Sequence, residues 1–559
     1  MAMTLLEKFQ TLKHIIGWRL TWGKRDTSYK VTVPGNPKFM SAREAVSMVK
    51  DGDVISTSGL GGNMRACILY WAIRDLFEET GHPANLTVMS IGGQGGRGIV
   101  PGTVEELGLP GLTTRFIVGH AETFKAQLNL AEESKMELQC IPQGIMAMLF
   151  DEQGKGNDSL LIKTGAGTFI DPRIGTGSRV LDPDAEQFVS VENDMLRYTM
   201  PKTNVALFNA PAADRKGNIY VKNCAMTGES KEITYAAKKN GGIAIACVGL
   251  LVEEGYDDIF IPGDMIDAIT VNPRTEQTGS IYHVDPRLSF TTNSDVTVQK
   301  GIEPLRFTNK ILGITPRRTD SDNALARLGA NTFAEHAQKG WYVNVGVGLP
   351  EEVSRLMFEG GLLEDITFVS ESGVMGGLPA PGVFFGGAVC PQKIMTSNEM
   401  FRFCYDNLNV TTLGLLQADS EGNVNVSHRG PGAKGFVGPG GFIDLTSSAD
   451  MVNFVGAWMA HAKFEISGGK LKILKKGTPK FVDKVDEITF SGPEALKAGK
   501  KVFYNTNVGV FQLTERGMEL IKVMPGVDIQ KDIIDCCPMK VVLPESGEVP
   551  VVDDAIVTG

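Results

Sequence analysis

One glutamate, Glu371, lies between an apolar run, Ile366-Thr367-Phe368-Val369, and a stretch of small residues, Ser372-Gly373-Val374-Met375-Gly376-Gly377. A short apolar run that ends in glycine reads as a strand meeting a tight loop. That geometry presents the side chain at the tip and lets a ligand approach the backbone closely. An exposed carboxylate gains nothing from such a position. A carboxylate that acts as a nucleophile gains a great deal, because covalent catalysis splits one difficult step into two easier ones.

Such a side chain needs a scaffold, and the chain carries the pattern twice. Asn85-Leu86-Thr87-Val88-Met89-Ser90-Ile91-Gly92-Gly93 aligns with Asp365-Ile366-Thr367-Phe368-Val369-Ser370-Glu371-Ser372-Gly373. Upstream, Lys50 to Gly59 parallels Gln338 to Val347, each followed by a helical pattern, at 66–77 and 350–358. Downstream, Ala213-Asp214-Arg215-Lys216-Gly217-Asn218 repeats as Ala418-Asp419-Ser420-Glu421-Gly422-Asn423, read as a hairpin turn with Gly-Asn able to take positive φ. Three matches in one order predict two related α/β domains. Strands alternating with helices predict mainly parallel sheets covered on both faces, with ligands at the C-terminal strand ends. Ile91 stands where the second copy has Glu371, so the scaffold itself does not require an acid there.

The expected organisation is an amphipathic extension at 1–34, a first domain at 35–295, a linker at 296–322, a second domain at 323–540 bearing Glu371, and a tail at 541–559. The extension carries Leu5, Leu6, Phe9, Leu12, Ile15 and Ile16 at helical spacing. It reads as a packing or subunit-contact helix in preference to a membrane-surface one. With 559 residues, 42% of them hydrophobic and 21% charged, the chain is too long for one core and has ample apolar material for several layers. A net charge of −10 without a basic stripe excludes nucleic acid as the natural partner. Eight cysteines without a CxxC pair suit reduced thiols in a cytoplasmic setting. No apolar run reaches the roughly 18 residues of a membrane span.

Phe368 to Gly376 resembles the active-site signature of family I CoA-transferases, in which a Ser-Glu-x-Gly turn holds the nucleophile. The Ser-Gly after the glutamate, the paired glycines that follow and the single fused chain resemble the propionate CoA-transferase subgroup. The resemblance covers about 35–540 and includes Pro142-Gln143-Gly144, Thr168-Phe169-Ile170-Asp171-Pro172-Arg173, Gly346-Val347-Gly348-Leu349-Pro350 and Gly438-Pro439-Gly440-Gly441-Phe442. It implies fused α and β halves of the CoA-transferase (NagB/RpiA-like) fold and Glu371 as covalent nucleophile. It further implies an oxyanion hole at Gln143, Gly440 and Gly441, and coenzyme A contacts at Gly346, Gly348, Ser370 and Gly373. Coenzyme A would be substrate and covalent intermediate, with no permanently bound cofactor and no metal. The implied reaction is ping-pong transfer of CoA to a short-chain acid of the acetate or propionate type, in a homo-oligomer.

Other readings compete at several positions. An acyl-CoA hydrolase would use the same Glu371 with water as acceptor, and a metabolite-binding module would use the scaffold without chemistry. Gly92-Gly93-Gln94-Gly95-Gly96 does not fit a dinucleotide fingerprint. His120 and Glu122 look like metal ligands but lack a third. Thr168 to Arg173 reads as an ion-paired structural corner. His428 and Arg429 fit either a ligand's negative charge or a solvated loop. Gly59 to Arg65 departs from the family's Gly-x-Pro ending, with an arginine where small residues are usual. The segment 379–387, with Phe384 and Phe385 adjacent, is expected to line the acyl pocket with one ring of the pair facing away.

Overall fold

A computed structural model describes residues 3–96 and 100–559. The first element is α1 (Leu5–Thr21), started by a capping box between Thr4 and Glu7. One face packs on the body through buried Thr11 and Ile15. His14 Nε2 lies 2.6 Å from the Ser280 carbonyl, and Trp18 Nε1 donates to Glu276 at 2.9 Å. The opposite face, with Leu5, Phe9, Ile16 and Leu20, is exposed.

The first half is built on β1 (Val54–Thr57), β2 (Leu86–Ser90), β3 (Thr113–Val118), β4 (Glu137–Cys140), β5 (Val205–Asp214), β6 (Ile243–Val252) and β7 (Ala268–Val271). Their spatial order is β7-β6-β5-β1-β2-β3-β4. Every pairing along that path is parallel, with Ile55 opposite both Val88 and Val205. β5 is buried along its whole length, as a strand covered on both faces must be. The cover includes α2 (Cys67–Thr80), α3 (Gln143–Lys155) and α4 (Ser230–Lys239). The predicted helix 66–77 is thus present as α2. It runs a turn further, to Gly81, whose φ of 77° supplies the left-handed C-cap.

The second half follows α5 (Val298–Ile311) and α6 (Asp320–Ala334). Its strands are β8 (Trp341–Val345), β9 (Ile366–Ser370), β10 (Val374–Met375), β11 (Lys393–Ile394), β12 (Leu408–Leu413), β13 (Met451–Val455), β14 (Lys501–Thr506), β15 (Gly509–Thr514) and β16 (Gly517–Val523). They order as β11-β10-β9-β8-β12-β13-β14-β15-β16. The five central strands are parallel, and both edges are antiparallel. This sheet is therefore mixed, where a mainly parallel one was expected. The turn after Glu371 folds straight back into β10, too short a connection for a helical crossover. The helices α7 (Pro350–Glu359), α8 (Ser397–Asn407), α9 (Phe442–Ser448) and α10 (Asp554–Thr558) complete the half.

The internal repeat survives in three dimensions. β1 and β2 are parallel neighbours, as are β8 and β9. Both hairpin turns use the same device. Asp214 accepts from the N–H groups of Lys216 and Asn218, and Asp419 from those of Glu421 and Asn423. The positive φ falls on Gly217 and Gly422.

Two segments differ from the sequence reading. Within 296–322, expected as a linker, α5 forms with Thr297 as its N-cap and buries Ile302 and Leu305 against the second-half core. Beyond 540, expected as a tail, Val542 hydrogen-bonds with Met518 and Leu520, so the chain extends the edge of the sheet at β16. Val552 and Val557 are buried, and the Arg327 guanidinium donates to the carbonyls of Ile556 and Val557 at 2.7 Å each.

Candidate active site

Glu371 sits directly after β9, where the backbone reverses. The Gly373 N–H donates to the Ser370 carbonyl at 2.9 Å and closes the turn. Gly373 has φ 97°, and a Cβ there would overlap the Met395 carbonyl, so only glycine fits. Ser370 accepts from the Ser372 hydroxyl at 3.0 Å. Both residues expected as CoA contacts therefore shape the turn itself.

Glu371 is half-buried, and loss of water around its carboxyl raises the pKa from the usual carboxylate value. One side-chain donor opposes this weakly. Asn344 Nδ2, on β8, lies 3.5 Å from the carboxylate and donates to the Val369 carbonyl at 3.0 Å. Thr411 holds Asn344 in turn, at 3.1 Å. The sequence reading passed over Asn344. Its signal was a polar residue inside the apolar run Trp341 to Val345.

The loop before α9 passes beside Glu371 at Gly441. A Cβ added to Gly441 would stand 3.7 Å from Glu371 Cβ and 3.3 Å from the Phe401 ring, so the Gly441 backbone lies against the nucleophile. Among the described residues, the Gly441 N–H has no hydrogen-bond partner. Gly440 behaves differently from expectation. Its N–H donates to the Gly119 carbonyl at 2.8 Å, so it is not a free donor. Its carbonyl accepts the Gln143 N–H at 3.0 Å, and this stitches the loop to the start of α3. Gln143 is 2% exposed and its Nε2 has no partner among the described residues, an unpaired donor of the kind that buried amides rarely leave.

The remaining expectations divide. Gly348, with φ 95°, faces open space, but its N–H is taken by Glu351 and its carbonyl by Arg318. The Gly346 N–H pairs with Thr412, and a Cβ there would press on Leu413. Asp171 and Arg173 form the ion-paired corner, at 2.7 Å. Arg429 pairs with Glu122 across the halves. Arg65 is buried against Glu276 at 3.0 Å. It lines a cavity of about 290 Å³ beneath α1 that includes none of the expected site residues. Phe384 packs into the second-half core on Phe290, whereas Phe385 joins Leu60, Met226 and Val374 between the halves. Among the described residues, no cluster of His, Cys, Asp and Glu has the makings of a metal site.

A second residue escaped the sequence reading. Asp444, on α9, is completely buried, and that burial pushes its carboxyl up to about 7. It accepts from the Gly144 N–H at 3.0 Å and from the Tyr405 hydroxyl at 3.2 Å. An acid inside the apolar run Phe442-Ile443-Asp444-Leu445 was the available sign.

The half-buried Glu371 carboxyl thus lies against the Gly441 backbone, and the next residue, Gly440, ties that loop to the helix that begins at Gln143. The chain is similar to known CoA-transferases. It is 34% identical over 516 residues to the caffeate CoA-transferase of Acetobacterium woodii, across 89% of this chain and 93% of that one. It is 31% identical over 516 residues to the acetate CoA-transferase YdiF of Escherichia coli K12, across 90% and 92%. The structure is similar to that of the acyl-CoA transferase YdiF from E. coli O157:H7 solved as a thioester complex with CoA. That likeness has a TM-score of 0.79 and 28% identity, and covers 93% of this chain and 95% of that one. A family model described as malonate decarboxylase, alpha subunit, transporter matches residues 194–302. In addition, no helix among the described residues is long and apolar enough to cross a membrane.

Proposed function

Since the chain belongs to the family I acyl-CoA transferases and moves CoA from an acyl-CoA to a carboxylate, we propose that it does so through a glutamyl-CoA thioester at Glu371. The observation that supports this reading is the close approach of the Gly441 backbone to Glu371, on a loop that Gly440 bonds to Gln143, whose amide has no partner among the described residues. Membership of an enzyme family also disposes of the non-catalytic binding module.

The Glu371 carboxylate adds to the thioester carbonyl, and collapse expels CoA thiolate and leaves an acyl-glutamyl anhydride. The thiolate adds to the glutamyl carbonyl, the donor acid departs, and CoA stays on Glu371 as a thioester. The acceptor carboxylate then attacks that carbonyl and releases the thiolate. Attack of the thiolate on the acceptor's carbonyl yields the new acyl-CoA and frees Glu371. Both attacking species are anions, so no general base is required.

Each addition places negative charge on a former carbonyl oxygen. Gln143 Nε2 and the Gly441 N–H are the donors we assign to it, each worth on the order of 3 kcal/mol of transition-state stabilisation. Gly440 contributes by holding Gly441 and Gln143 together. We assign the open floor at Gly348 to the pantetheine arm. The Phe401 ring crowds the site at Gly441, which supports short acids such as acetate and propionate as substrates. The exposed stripe of α1 is the surface we assign to a second copy in a homo-oligomer, and eight unpaired thiols suit a reducing cytoplasm.

The test is intact mass. Incubation with propionyl-CoA and no acceptor adds CoA to the peptide that contains Glu371, and acetate discharges the adduct as acetyl-CoA. The Glu371→Gln variant stays unmodified, and its turnover drops by at least about 10³-fold. An adduct elsewhere, or an active protein that never carries one, defeats the mechanism.

A further inference from the structure

Helix α3, which begins at Gln143, lacks a cap of its own. Pro142 occupies its N-cap position and has no side chain to accept the helix's first N–H groups. The second half supplies the acceptors. The Gln143 N–H goes to the Gly440 carbonyl at 3.0 Å, and the Gly144 N–H goes to Asp444 Oδ2 at 3.0 Å, with Ile145 also donating to that carboxyl. Asp444 Oδ1 accepts from Tyr405, whose hydroxyl accepts from Thr164 at 2.9 Å. Contact is close because residue 144 is glycine. A Cβ there would stand 2.6 Å from Asp444 Oδ1 and 2.6 Å from the Phe401 ring. Asp444 also shares the first turn of α9 with Gly441 at its N-cap.

One buried carboxyl thus grips the helix that starts with the Gln143 amide while belonging to the turn that presents the Gly441 N–H. Resting on the reading of those two groups as oxyanion donors, we propose that Asp444 is a positioning residue: through its bonds to α3 it fixes Gln143 Nε2 and the Gly441 N–H at one separation around Glu371. Misplacement of a reacting group by about 1 Å is enough to cost about 100-fold in rate.

A double-mutant cycle on the full-length protein separates this from plain structural support. Asp444→Asn, which keeps shape but loses an acceptor, lowers kcat about 10- to 100-fold and shifts KM for acyl-CoA by less than about threefold. In a Gln143→Ala background the same change costs less than about twofold, since the separation between the two donors no longer matters once one of them is gone. Equal losses in both backgrounds, a loss confined to KM, or an Asp444→Asn enzyme with normal kcat overturns the proposal. Where Asp444→Asn fails to accumulate as folded protein, Tyr405→Phe carries the same cycle with a smaller effect, and additivity there is equally decisive. A Gln143→Ala enzyme with normal kcat removes the oxyanion reading and this proposal with it. The mass adduct on Glu371 stands independently of either result.

Discussion

Water stabilises a free carboxylate and blunts it as a nucleophile, and Glu371 has lost much of that water. Its raised pKa records the loss. Only the anion attacks, so the rate of adduct formation is expected to fall on acidification through a pKa above the usual carboxylate value of about 4.3. Single-turnover release of CoA against pH reads this directly, and an acid limb at or below that value contradicts the burial argument. At this scale Glu371 was legible, because it interrupts its surroundings in type. Gln143 and Gly441 were named only through the family resemblance, since nothing in their local pattern marks a donor; the structure sets the Gly441 backbone against Glu371 and leaves Gln143 on the helix bonded to Gly440. The roles of Gly440 and Gly373 were not legible. Whether an N–H is free, or a Cβ has room, depends on a carbonyl that arrives from elsewhere in the chain, Gly119 in one case and Met395 in the other.

Among the elements, α5 shows where composition misleads. Gly313 and Pro316 after it read as linker, yet Pro304 stands inside a helix in which Ile302 and Leu305 face a core and the Thr297 cap starts the first turn. A proline removes one backbone bond, which burial of two aliphatic side chains offsets. The antiparallel edges of the second sheet were hidden for a related reason, since strand direction follows from turn length and not from the residues within a strand. The final segment is the clearest case. Deleting residues 551–559 exposes the apolar surface that Val552 and Val557 cover and leaves Arg327 without its carbonyl partners. We expect the urea midpoint to fall by the equivalent of about 2–4 kcal/mol. An unchanged midpoint means the docked end contributes nothing to stability.

In the whole molecule, acids gather where the halves meet. Burial pushes Glu229 up to about 7, beside Ser58 and Gly59 of the first half. It pushes Glu232 up to about 8, against the Thr396 hydroxyl of the second, and Asp444 up to about 7. The folded form keeps protons that the unfolded chain releases near pH 4, so their contribution to stability is full below that point and is lost as pH rises through about 7 to 8. Tm is expected to decline between about pH 5.5 and 8.5, and Glu232→Gln should flatten the decline; a Tm that climbs across this window rejects it. The seam these acids line also changes what the covalent chain accomplishes. Ahead of α5, whose Ile302 and Leu305 lie in the second-half core, the backbone crosses from Thr292 to Thr297, exposed or half-exposed along its length. Meanwhile Gln143, Gly119 and Ala121 bond to the 437–440 loop, and α3 is capped from the far half. A nick in that crossing would sever the polypeptide without releasing either piece. Physically the halves are already a heterodimer, and the peptide bonds between them set stoichiometry, not affinity.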